Sequence, residues 1–101
     1  MKALNTPGLE EAYWSEDEPS PSLPPRGSFE VKTAAANGQR RFNFVCPGCA
    51  TLGSLAIRPV VDGSPQSWDW NGSTEAPTLT PSINHPGCWH GWLTDGTFTA
   101  C

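Results

Sequence analysis

Cys46-Pro47-Gly48-Cys49 sets two thiols on one tight turn, and Cys88-Trp89-His90 brings a third thiol and an imidazole from farther along the chain. Thiols and imidazoles spaced in this way suit a tetrahedral zinc shell. Gly48 allows the backbone to curl so that both sulfurs of the first turn converge. Cys88 and His90 are two residues apart, so in a strand their side chains share a face. The expected ligands of a structural Zn2+ are therefore Cys46, Cys49, Cys88 and His90, with Cys101 as the alternative fourth ligand. His85 precedes Pro86 in a loop and reads as a surface histidine.

Catalytic chemistry finds less support in the sequence. Zinc deaminases use His-x-Glu before Pro-Cys-x-x-Cys, and neither that pattern nor His-Glu-x-x-His occurs here. A four-ligand shell would leave no open position for water. A serine-type set can be assembled from Ser82, His85 and Asp69, but no nucleophile-elbow motif or phosphate-cradling glycine loop singles one out. The expectation is a chain that is not an enzyme and has no catalytic residues.

Composition explains why a metal would matter. The chain has 101 residues, of which 37% are hydrophobic, and Gly and Pro together supply 21. A domain this size with so little apolar content needs reinforcement. Met1-Lys2 opens no apolar run, so an export signal is not expected, and no stretch suggests a membrane helix. A reducing compartment follows, in which thiols bind metal sooner than they oxidise. Net charge is −4, with no basic face to track phosphates, so nucleic acid is not an expected partner.

The elements that must position these residues are short strands. Phe29, Val31 and Thr33 alternate with polar residues, Asn37-Gly38 reads as a two-residue hairpin turn, and residues 41–45 return into Cys46. Asp95-Gly96 reads as the turn between a strand at Trp89–Leu93 and another at Thr97–Thr99. The predicted fold is mainly β: a small antiparallel zinc-stapled β domain over residues 28–101. Residues 1–27 read as an extended acidic and proline-rich arm, with a short helix over 7–14 started by Thr6 and Pro7. Leu9, Tyr13 and Trp14 are the residues of that arm expected to grip a partner. Of the tryptophans at 68, 70, 89 and 92, at least two are expected in the core.

Cys46-Pro47-Gly48-Cys49, Trp68-Asp69-Trp70-Asn71-Gly72, Pro77-Thr78-Leu79-Thr80-Pro81-Ser82-Ile83 and the block from Cys88 to Gly96 occur in this order. This ordered set over residues 42–98 resembles a family of small phage and prophage proteins, some labelled ammonia monooxygenase. That resemblance implies a phage origin and a zinc site, and no activity. The expected function is a non-enzymatic phage protein that binds another protein through its arm, as a head or tail accessory subunit of the virion in contact with other subunits or its own copies. The alternatives are an intracellular effector that inhibits a host protein and a zinc-dependent hydrolase or deaminase. The expected location is the bacterial host cytoplasm during infection, and the virion for the first reading.

Overall fold

The computed structural model describes residues 1–14 and 24–101. The acidic, proline-rich residues 15–23, the middle of the predicted arm over residues 1–27, lie outside the described residues.

Two four-stranded sheets carry the fold. The first holds β1 (Leu4–Asn5), β2 (Ser28–Thr33), β3 (Arg40–Val45) and β4 (Leu52–Ala56), side by side in chain order. The second holds β5 (Asp69–Trp70), β6 (Leu79–His85), β7 (Trp89–Thr94) and β8 (Thr97–Ala100), again in chain order. Every pair is antiparallel except β1 with β2. The mainly β prediction holds, and among the described residues no helix is long and apolar enough to cross a membrane.

Strand alternation decides which residues meet between the sheets. Phe29, Phe42 and Phe44 from the first sheet meet Leu79, Ile83, Leu93 and Phe98 from the second in one core. Phe44 and Phe98 stack across it with ring centroids 6.1 Å apart. Trp68 is buried, and Trp70 and Trp89 pack against the same core, whereas Trp92 faces outward. The hairpin turn at Asp95-Gly96 forms as expected, with both residues at positive φ. The Asn37-Gly38 turn is wider than predicted. Residues 34–39 bridge β2 and β3, because buried Gln39 turns inward to donate to the Ile57 carbonyl and accept from the Val61 amide.

The N-terminal residues correct the arm prediction. Met1 and Phe98 exchange backbone hydrogen bonds, Ala3 donates to the Gly96 carbonyl, and β1 pairs with β2, so this segment laces one sheet to the other. A helix follows, α1 (Leu9–Tyr13), shorter than the predicted 7–14 and packed on β2 and β3. The Glu30 carboxylate accepts from the Glu10 amide at 3.0 Å and from Asn43 Nδ2 at 3.0 Å, so a buried acid is satisfied by a helix N-terminus and an amide. Leu9 is fully buried against its own chain and cannot also grip a partner. Tyr13 is half-buried, and Trp14 alone of the three predicted anchors is largely exposed. Leu9→Ala is expected to cost about 3 kcal/mol, as for other buried leucines. A drop in the urea midpoint measures it; an unchanged midpoint would restore the detached arm.

On the same face, Arg41 leaves β3 to meet Asp62 Oδ2 at 2.6 Å and Ser64 Oγ at 2.9 Å. The Asp62 carboxyl is held below the usual carboxylate range, first by the Ser64 hydroxyl and then by the Ser64 amide and Arg41. These bonds fix the loop over residues 62–67 beside β4.

Candidate functional site

Chemistry gathers on both faces of β6. Its residues alternate, so Ile83 and His85 point toward the core side while Ser82 and Asn84 point outward.

On the inner side stands a thiol–imidazole cluster. Cys46 closes β3 and is buried. The turn after it is held by the Ala50 amide on the Cys46 carbonyl and the Cys46 amide on the Thr51 carbonyl. This brings Cys49 back beside Cys46, and His85 enters from β6. One ligand atom from each of Cys46, Cys49 and His85 lies within 4.8 Å of the others, a spacing suited to one metal ion. Cys49 Sγ is 4.0 Å from His85 Nδ1. Cys49 also forms a disulfide with Cys88, their Cα atoms 5.5 Å apart. Cys88 sits in the turn between β6 and β7, where its amide donates to the His85 carbonyl. The two turns touch at Gly48: a Cβ there would collide with the Cys88 carbonyl oxygen and lie 2.8 Å from Trp89 Cβ. Glycine is required by this close approach.

The cluster differs from the predicted shell in one ligand and in its redox state. His85 occupies the place expected for His90. The β6–β7 hairpin explains it: His85 pairs with Trp89 and Asn84 with His90, so His85 shares the inner side with the cysteines and His90 faces out. The alternative ligand Cys101 is exposed beyond β8, where its amide donates to the His90 carbonyl, and it does not join the cluster. The expectation that all the thiols stay reduced is overturned by the Cys49–Cys88 bond.

On the outer side, Ser82 Oγ lies 3.3 Å from His90 Nε2. The register of β6 against β7 jumps between Leu79, which pairs with Leu93, and Ile83, which pairs with Gly91. Thr80, Pro81 and Ser82 therefore share the single facing residue Trp92. A bulge of this kind re-aims side chains, and bulges recur next to active sites. Behind the bulge, Trp68 Nε1 donates to the Ser82 carbonyl at 3.3 Å, which fixes the serine backbone. Among the described residues, Ser82 is the hydrogen-bond partner of the His90 ring. The set Ser82, His85 and Asp69 does not assemble: His85 belongs to the thiol cluster, and Asp69 Oδ2 is paired with Arg58 Nη1 at 2.8 Å. The signal that could have found His90 is the turn His85-Pro86-Gly87-Cys88. A hairpin folded there sets residue 84 opposite residue 90 and so puts Ser82 and His90 on one face.

A hydroxyl hydrogen-bonded to an unprotonated imidazole nitrogen is an activated nucleophile, and such contacts are often slightly long before substrate arrives. Compared with known families, residues 15–101 match the family described as bacterial ubiquitination-like system serine protease (BubE), and the chain belongs to that family. Comparison with curated proteins and with solved structures gives no match. The family match overturns the expected non-enzymatic virion subunit, and with it the expectation that the chain is not an enzyme. The inhibitor of a host protein falls for the same reason.

Proposed function

We propose that this member of the bacterial ubiquitination-like system serine protease family hydrolyses polypeptide acyl bonds, with Ser82 as nucleophile and His90 as its general base. The observation that carries this reading is the 3.3 Å contact between Ser82 Oγ and His90 Nε2 on an open sheet face. Ser82 Oγ attacks the scissile carbonyl carbon as its proton passes to His90 Nε2. The tetrahedral adduct collapses, the C–N bond breaks, and His90 returns the proton to the leaving amine. Water, deprotonated by the same imidazole, then cleaves the ester on Ser82. The family description supports protein substrates within a ubiquitination-like system.

A fluorophosphonate tests the assignment, since it phosphonylates an activated serine without needing a matched substrate. Label mapped by mass spectrometry to Ser82, and absent in His90→Ala, is the expected result. Label on another serine would overturn it. Gly91 offers a second check. A Cβ there would collide with the Thr99 carbonyl oxygen and lie 2.6 Å from the Trp89 ring, so any side chain pushes β7 aside. Gly91→Ala should move His90 without touching its ring and cut hydrolysis about 100-fold, as misplacement of about 1 Å does. Steady-state kcat measures it.

The thiol cluster supports a structural zinc site in the reduced protein. A dithiol reductant supplying two electrons would open Cys49–Cys88, and Cys46, Cys49, Cys88 and His85 would then complete four ligands. Such an ion ties the turn after β3 to the β6–β7 hairpin and has no part in the serine chemistry.

A further inference from the structure

A cleft of about 490 Å³ runs between β4 and β6, within the usual size of binding sites. One wall is Leu52–Ala56 of β4 and the other is Ile83–His85 of β6, with Ser64, Pro65 and Gln66 at the rim. Among the described residues, both walls are strand edges without a strand beside them over most of their length. β4 pairs with β3 on one side, and on the other no strand meets it until Ala56, whose carbonyl accepts from the Trp68 amide at 2.9 Å. β5 covers β6 only at Leu79 and Thr80. Beyond Ser82, the β5 side of β6 lies open among the described residues. Folded proteins usually protect such edges with charge, proline or a covering element. Leu52-Gly53-Ser54-Leu55 and Ile83-Asn84 carry neither charge nor proline.

Two ties join the walls of the cleft. Ile57 bridges to Trp68, and the Cys49, Cys88 and His85 cluster pins the two sheets. The cleft also continues into the serine site: Asn84 lines the cleft, pairs with His90 and shares the outer face with Ser82.

We infer that this cleft takes an extended polypeptide segment, the substrate strand itself, which pairs with the free edge of β6 and so delivers its scissile bond to Ser82. Only a polypeptide backbone offers the alternating N–H and C=O groups that two bare strand edges require, and strand addition to an open edge is a recurring mode of peptide recognition. The inference rests on the serine protease reading and narrows the substrate to a flexible chain or tail. A folded domain presents no free strand to this seam.

The test uses β-casein as an unfolded polypeptide probe. Bound to Ser82→Ala protein, which cannot turn it over, β-casein should slow amide hydrogen exchange in residues 53–55 and 83–85. With active protein, Ser54→Trp and Gln66→Trp, which fill the cleft from the β4 wall and from the rim, should each raise KM for casein at least tenfold. The fluorophosphonate, small enough to reach Ser82 without the cleft, sets the baseline for each variant. Protection located elsewhere, or unchanged KM in both variants, would overturn the cleft. Fluorophosphonate labelling of Ser82 with no casein bound or cleaved also sinks the cleft and leaves the nucleophile standing. Casein protection in the cleft without labelling of Ser82 keeps the binding site and removes the nucleophile.

Discussion

Ser82→Ala is expected to abolish hydrolysis, lowering kcat by about 10⁴-fold or more while the fold is unchanged. The serine is half-exposed and its hydroxyl donates no hydrogen bond within the core, so removing it costs little stability. His90→Ala should fall nearly as far, and the double variant no farther than the worse of the two. Nucleophile and base act as one unit, so their losses do not add. Kinetics on a cleaved polypeptide, with thermal melts of each variant, provide the measurement. Additive losses would mean that the two residues work separately, and equal loss of melting temperature would make the contact structural.

Cys88→Ser should give the largest loss of stability, about 4 kcal/mol in oxidised protein. The Cys49–Cys88 bond closes a span of 39 residues, and loop closure of that length accounts for about this much. Reduction of the wild-type chain in a chelator should cost about the same. Zinc added to the reduced wild-type chain should restore the lost stability, since metal affinity for a site absent from the unfolded chain is folding energy. It should restore little in Cys88→Ser, which lacks the fourth ligand. Urea midpoints under the four conditions decide the matter. Recovery in Cys88→Ser as full as in wild type would take Cys88 out of the metal shell.

The β architecture was legible because its signals are local. The alternation of Phe29 and Val31 with Glu30 and Lys32, and the Asp95-Gly96 turn, each depend on a few neighbouring residues. The Cys46–Cys49 turn was legible for the same reason. What the sequence concealed was long-range register. His85 and His90 exchange roles because a hairpin turn at residues 86–88 reflects one strand onto the other, and spacing within one strand cannot reveal that. Ser82 was concealed further by the bulge, which breaks the alternation just where the hydroxyl must be aimed. The N-terminal residues misled through composition. Residues 1–14 were read as one arm with the acidic, proline-rich residues that follow them, yet Leu9 and the Met1–Phe98 bonds reach partners far away in the chain. Nothing near those residues in sequence announces such contacts.

Strand β6 carries Ser82 on one face and His85 on the other, three residues apart, with a single backbone between the hydroxyl chemistry and the thiol cluster. No second layer insulates them. A reductant that opens Cys49–Cys88, used with a chelator, would thus reach the serine through that shared strand, as a noncompetitive inhibitor: kcat would fall, KM would hold, and no substrate concentration would rescue it. An inhibitor screen scored only by competition with substrate would overlook this back entrance.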